Sequence, residues 1–478
     1  PTPGRGDRRS NDLRQRGVTT TTSVQPDITI EPAAAACPMP RDIATLPSEV
    51  ADWRRDTLAG LEIDWTAVVI ATGHQAAIWH PGILAKDLVV RGLTDRLAAT
   101  DDSAVALHVV ADHDANDGGL IRLPTVADDG TLESIGWRLR PSPEGRGLRD
   151  RPAGPAAAPP PCRLPIPELA ERIDAIRGAV DAHADAPSLA MQLGLAAANL
   201  ARPVTGEIPR RSMSSLLQAA VGRAILERMA SDPEACIAAH DAAVEADRTR
   251  RATNGRSPRG VARLLGRGPV KELPLWRDTV DGRRPVLLGE SLDAASLRPR
   301  ALLATALARL AGCDLFVHGL GGGVYDLVME DWLARWLGDE IAASLAPAIV
   351  ATATLRLPLP IERLDDPMTP EAWHRLRNDP DLASLGEPTR SAHLAAIDAA
   401  PRRSPERRAA YLALRAAIAE AHRRGAATLA DAERRLSTER RIARSNAIAL
   451  DRTWSFGLHD DTSLAALATD IRHALAVG

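Results

Sequence analysis

Three short apolar runs, each ending in a polar or glycine-rich turn, constrain this chain more than any other feature. They are Thr66 to Ala71, Ala104 to Val110 and Cys313 to His318. Each is too short for an ordinary globular helix and lacks charged or polar residues on one alternate face. Runs of this length, bounded by turn residues, predict strands buried in a sheet. The first ends at Thr72-Gly73, the second at Ala111-Asp112-His113-Asp114, and the third opens into Gly319-Leu320-Gly321-Gly322-Gly323. Between the first two, Pro81 to Thr100 carries Ile83, Leu84, Leu88, Val89 and Leu93 at helical spacing. Strand, helix, strand in that order is a βαβ unit, with parallel strands and a right-handed crossover. The expected class is therefore an α/β enzyme built on a parallel sheet.

Pro47 to Leu61 predicts a short helix, and Pro141 to Pro167, with Pro159-Pro160-Pro161 at its centre, a linker. Glu168 to about Arg251 is helical in pattern and looks inserted. The sheet is expected to resume at Glu272 to Arg277 and Pro285 to Leu288, followed by helices over Arg298 to Ala311 and Val324 to Leu337. Pro405 to Ile448 predicts an antiparallel helical pair or a coiled-coil arm. These readings divide the chain into a disordered or extended tail (1–46), a first core part (47–140), a linker and helical insertion (141–270), a second core part (271–369) and a helical arm with the C-terminal segment (370–478).

Bulk properties narrow the function classes. A chain of 478 residues holds roughly two to four structural units. The formal charge of −3 gives no reason to expect nucleic acid or an anionic membrane as partner. Only Lys86 and Lys271 are lysines against a large excess of arginine, as a GC-rich genome would produce. Where lysine survives, a compact ammonium is the group chosen over a planar guanidinium. Cys37, Cys162, Cys236 and Cys313 are scattered, with neither zinc spacing nor a disulfide framework. Residues 1–25 contain no apolar core of a secretion signal, and no apolar stretch has the length of a membrane span. A cytoplasmic protein that stays off the membrane is expected.

The three turns are the candidate site, because ligands of open parallel sheets bind beyond the carboxyl ends of the strands. The first turn carries Thr72, Gly73, His74, Gln75, His80 and Lys86, donors suited to phosphate or carboxylate. His80-Pro81-Gly82 also reads as a plain helix-start turn. The second offers His108, Asp112, His113, Asp114, Asn116 and Asp117. Such a set can do acid–base work, bind a divalent metal or hold hydroxyls, although no standard zinc spacing is present. It also reads as a polar turn with an Asx-type cap. The third, His318 to Asp326, permits close backbone approach to a phosphate. It lacks the third glycine of a dinucleotide fingerprint and the lysine of a Walker A loop. No G-x-S-x-G elbow occurs, and none of the three turns contains a cysteine.

In these turns the chain resembles the bacillithiol-biosynthesis cysteine-adding enzyme family, a family of cysteine ligases. Thr72-Gly73-His74-Gln75, Pro81-Gly82 and Lys86 match its first loop, and Ala111-Asp112-His113-Asp114 its acidic motif. Arg298-Pro299-Arg300, Gly319 to Gly323 and Tyr325 match its last. His74 departs from a glutamine, and Ala111 and Gly322 from acidic residues. The resemblance implies a Rossmann-like core of nucleotidylyltransferase type with a helical insertion and a dimerising coiled-coil arm. It implies ligation of cysteine to an amino-sugar conjugate of glucosaminyl-malate type, with a small-molecule substrate and ATP or another nucleotide as the plausible activator. On this reading Lys86, Asp112, His113 and His74 are catalytic. Thr72, Gly73, Gln75, His80, Asp114, His318, Gly319, Gly321, Gly322 and Tyr325 bind substrate or nucleotide, and no metal is expected. A nucleotidylyl or glycosyl transferase on the same scaffold, and a non-catalytic scaffold protein, are the rival readings.

Overall fold

The structure, a computed structural model, describes residues 19–20, 27–31, 38–100, 103–140, 147–253, 261–264, 270–279, 282–363, 367–378 and 389–476. Most of the expected tail, with Cys37, lies outside these residues. The chain divides into two compact units. The larger comprises residues 23–123, 134–357 and 451–478, the smaller residues 1–22, 124–133 and 358–450.

In chain order the elements are β1 (Asp27–Glu31), α1 (Ser48–Gly60), β2 (Val68–Gln75), α2 (Pro81–Ala98) and β3 (Ala104–Ala111). A hairpin of β4 (Leu120–Val126) and β5 (Leu132–Arg138) follows, turning through Gly130 at φ 84°. Then come α3 (Glu168–Asp181), α4 (Leu189–Thr205), β6 (Arg210–Ser212), α5 (Met213–Gln218), α6 (Ala220–Ser231) and α7 (Pro233–Thr253). They lead to β7 (Glu272–Thr279), β8 (Gly282–Leu287), β9 (Leu297–Pro299) and α8 (Ala301–Leu307). The last core elements before the smaller unit are β10 (Leu315–His318), α9 (Gly322–Leu337), α10 (Asp339–Ala343) and β11 (Ala348–Thr354).

Six strands form the main sheet in the order β1-β11-β10-β2-β3-β6. All neighbours are parallel except β1, which runs antiparallel to β11 at the edge. From β2 the chain builds outward through β3 to β6, then returns to the other side of β2 with β10 and β11. The strand order therefore reverses between β2 and β10, where the crevice of an open α/β sheet opens. Alternation along the strands separates two faces. Val69, Ala71, Leu107, Val109 and Phe316 join the apolar core shared with α1 and α5 to α9. Ile70, Thr72, His74 and Val110 point the other way, towards α2 and α4, and α15 (Asp461–Ala476) packs on those two helices.

Several expectations are revised. Residues 272–277 and 285–287 do form strands, but not in the main sheet. They are the centre and one edge of a separate antiparallel sheet, β9-β7-β8. The helix expected over Arg298 to Ala311 starts only at Ala301, and ends in a π-turn over Ala308–Gly312. The helices after Glu168 do not stand apart from the core: β6, within that stretch, is an edge strand of the main sheet. Helix α15, expected with the arm, belongs to the larger unit.

In the smaller unit are α11 (Pro370–Asn378), α12 (Thr389–Ala399), α13 (Pro405–Arg424) and α14 (Ala426–Ala449). The close helix pairing is between α12 and α13, not within Pro405 to Ile448. There α13 runs almost directly into α14: the Gly425 N–H donates to Ala421 O (2.7 Å) and Gly425 O accepts from Leu429 N–H (3.0 Å). Among the described residues no helix is long and apolar enough to cross a membrane.

Candidate functional site

The turns after β2, β3 and β10 meet at one cleft of about 570 Å³ in the larger unit. Its floor is the carboxyl end of the sheet, at Gly73, Val109 and Phe316. One wall is the small-residue face of α8, with Ala301, Ala304 and Thr305, continued by Ala308 of the π-turn that follows. The antiparallel sheet supplies Trp276 and Arg283, and Arg300 stands at the N-cap of α8, while His113, Asp114, His318, Gly321, Gly322 and Tyr325 complete the rim. Glycine is required at 73 because a Cβ there would lie 2.9 Å from Val109 O on the neighbouring strand.

Polar groups on this surface are left without partners, which is rare for buried atoms. His113 Nδ1 and Arg300 Nε are buried and make no hydrogen bond. His318 Nε2 lies 2.6 Å from Asp326 Oδ2, off the hydrogen-bond line. Arg283 donates to His113 O (3.0 Å) and lies 3.6 Å from an Asp114 oxygen. The Gln75 amide donates to that carboxylate as well. The Trp276 ring carries two guanidiniums, Arg283 at 5.0 Å and Arg300 at 4.2 Å from its centroid. Sequence reading missed Trp276, Arg283 and Arg300. Of these only Arg300 stood in a quoted motif, and nothing in the spacing marks β7 and β8 as walls of a cleft formed by distant strands.

Not every predicted residue reaches the cleft as expected. Thr72 is buried and its hydroxyl donates to Val317 O (2.7 Å), tying β2 to β10. His74 is among the residues around the cleft, but it follows Gly73 on the strand and its ring packs edge-on to Trp79 at 4.7 Å, on the face turned to α2. Burial, reinforced by the nearby Lys86 charge, lowers its pKa to about 2. His74 is therefore a neutral group, and the expectation that it neutralises developing charge is withdrawn. His80 is the N-cap of α2: its Nδ1 accepts the Gly82 N–H at 3.1 Å. The plain helix-start reading accounts for His80, which does not line the cleft.

Lys86 lies beneath the turns. It is fully buried, its Nζ donates to Gly73 O (2.6 Å), and its chain passes under Gly319. Burial lowers its pKa to about 8, with Asp87 acting against the shift. It braces the first turn against the third and is absent from the cleft lining. Asp112 is likewise interior: it accepts the Ser214 N–H (3.0 Å) and an Arg149 N–H (3.4 Å). Burial works to raise its pKa, but the His113 imidazole and the Ser214 N–H outweigh burial and hold it low. A carboxylate so held is a poor base, and Asp112 acts as a support beside His113, 3.9 Å away.

The glycine turn also differs from the expected phosphate cradle. The N–H groups of Gly322 and Gly323 point back to Gly319 O, at 3.0 and 3.4 Å. Gly319 lies outside the cleft, while Gly321 and Gly322 line it beside the exposed Tyr325. What the cleft offers an anion is therefore cationic side chains, not free backbone N–H groups. On the α2 face, Asp87 binds Arg210 (2.8 Å) and His108 Nδ1 (2.7 Å) in a buried network next to His74. Among the described residues no group of three or more His, Cys, Asp or Glu could hold a metal ion. No protein-family model matches the chain, and no curated protein matches it.

Proposed function

We propose that the larger unit is a Rossmann-like, nucleotidylyltransferase-type core and that its cleft joins an amine to a small anionic carboxyl compound. This is the reaction class implied by the likeness to cysteine-adding ligases, with an amino acid and an amino-sugar conjugate as substrates. One observation carries the reading. Three turns distant in sequence converge at the strand-order switch on a cleft that leaves His113 Nδ1 and Arg300 Nε buried and unpaired. Keeping such groups unpaired costs stability, and a polar ligand would satisfy them.

In this scheme Arg300 and Arg283, backed by Trp276, hold the anionic part of the substrate. His113, Tyr325, Asp114 and Gln75 bind and orient the acceptor. Lys86 and Asp112 fix the turns. ATP or another nucleotide activates the acid, entering along Gly321 and Gly322. The same reading has the helical arm joining two copies of the chain in the cytoplasm.

The test is ligand-induced stabilisation of the full chain by cysteine, glucosaminyl-malate and nucleotides. A ligand at 100 times its Kd adds about 2.7 kcal/mol to stability. The shift should vanish in His113→Ala and Arg300→Ala while the melting temperature without ligand changes little. Stabilisation that survives both substitutions would refute the site. No stabilisation by any of these compounds would leave the scaffold reading.

A further inference from the structure

His318 sits where β10 ends, on the cleft surface, and two buried groups are arranged behind it. Its Nε2 lies 2.6 Å from Asp326 Oδ2, and the same oxygen accepts Arg309 Nη1 at 2.8 Å. Arg309 is fixed in turn by Ala346 O (2.7 Å) and by Glu330 (2.7 Å). All three members, His318, Asp326 and Arg309, are over nine-tenths buried. Arg309 belongs to the π-turn that ends α8. Such turns re-aim a side chain that a regular helix would direct elsewhere. On the other side of the ring, a Cβ on residue 322 would lie 2.2 Å from His318 Nδ1. Glycine at 322 thus leaves Nδ1 uncovered at the cleft rim.

We propose that His318 is the proton acceptor of the cleft, with Asp326 setting its tautomer and Arg309 holding Asp326 in place. This rests on the proposed ligase reading and names the group that deprotonates the amine. A carboxylate against Nε2 favours the proton on Nε2, because two facing acceptors repel. A modest ring rotation, cheap for the broad χ2 of histidine, brings that N–H onto the oxygen. Nδ1 then holds the lone pair and faces the cleft. As the amine nitrogen forms its new bond to the acyl carbon, its proton passes to Nδ1. The resulting imidazolium is stabilised by Asp326; the bond from the acyl carbon to the phosphate oxygen of the nucleotide-activated acid breaks, and the proton leaves with that phosphate or nucleotide. His113, whose Nδ1 has no carboxylate in hydrogen-bond range, is then a substrate-binding group. The logic is that of any imidazole oriented by a buried carboxylate.

The test needs no substrate, so its outcome is independent of whether the ligands above bind. In the full chain labelled with ¹⁵N-histidine, the His318 ring signals are assigned by their loss in His318→Gln. A pyridine-type Nδ1 with a protonated Nε2 is expected, and a mixed or reversed tautomer in Asp326→Asn. A protonated Nδ1 in the native protein would overturn the proposal even if Asp326→Asn did not fold, and so would an unchanged tautomer in a folded Asp326→Asn. Access is read separately by diethyl pyrocarbonate labelling with mass spectrometry. Gly322→Ala should slow modification of His318 at least ~10-fold, because the methyl group fills the approach path. An unchanged rate would show that Nδ1 does not face the cleft.

Discussion

At the scale of single residues, the chain separates groups that build the site from groups that merely sit near it. Asp314 is the clearest case. It is wholly buried at the start of β10, where both its oxygens bind Arg54 (2.8 and 2.6 Å). Arg41 adds a third contact (3.1 Å), and the Val69 N–H of β2 a fourth (2.8 Å). This cluster ties β2 to β10 at the rim opposite the cleft. Asp314→Ala strands two buried guanidiniums and should cost about 3–5 kcal/mol, read by urea unfolding. A loss under 1 kcal/mol would mean that the cluster is solvated. Sequence reading passed over Asp314, because one carboxylate in an apolar strand gives no sign of partners 260 and 273 residues away.

At the scale of elements, α2 shows how one histidine can be mistaken for a ligand group. His80, Pro81 and Gly82 form its start, with proline at the first helical position and the imidazole as cap. His80→Ala should lower stability by about 1 kcal/mol and leave ligand-induced stabilisation intact, whereas His80→Asn restores the cap. Loss of ligand response in His80→Ala with unchanged stability would reverse this assignment. The elements of the parallel sheet were legible because short buried runs and amphipathic spacing are local signals. Val68–Gln75, Pro81–Ala98 and Ala104–Ala111 fall close to where they were expected. The antiparallel sheet was misjudged because periodicity identifies a strand but not its partner.

At the scale of the whole molecule, buried histidines make folding sensitive to acid. Burial, first among the causes, lowers His459 and His108 to about 4 and His74 to about 2, against an ordinary 6.5. Below pH 6.5 the unfolded chain takes up protons that the folded chain refuses, so stability is complete above that pH and falls on acidification. His459, whose Nε2 is buried and unpaired, should alone account for about 2 kcal/mol of loss between pH 7 and pH 5. Urea unfolding at the two pH values should show the loss, and His459→Gln should reduce it by that amount. An equal loss in the variant would place the effect elsewhere.

The sequence by itself determined the central strands β2, β3 and β10 with the helix between the first two, and that three polar turns follow buried strands. Those facts depend on neighbours in the chain. The tertiary structure alone decided that the strand order reverses between β2 and β10, bringing Gly73, His113 and Gly322 to one cleft. It also decided that Lys86, His80, Asp112 and His74 serve the frame or the opposite face, and that Trp276, Arg283 and Arg300 form a wall. The physical reason is the same throughout. Whether a polar side chain is a ligand group, a cap or a brace depends on which distant backbone atom or charge it meets, and that pairing is fixed only when the sheet closes.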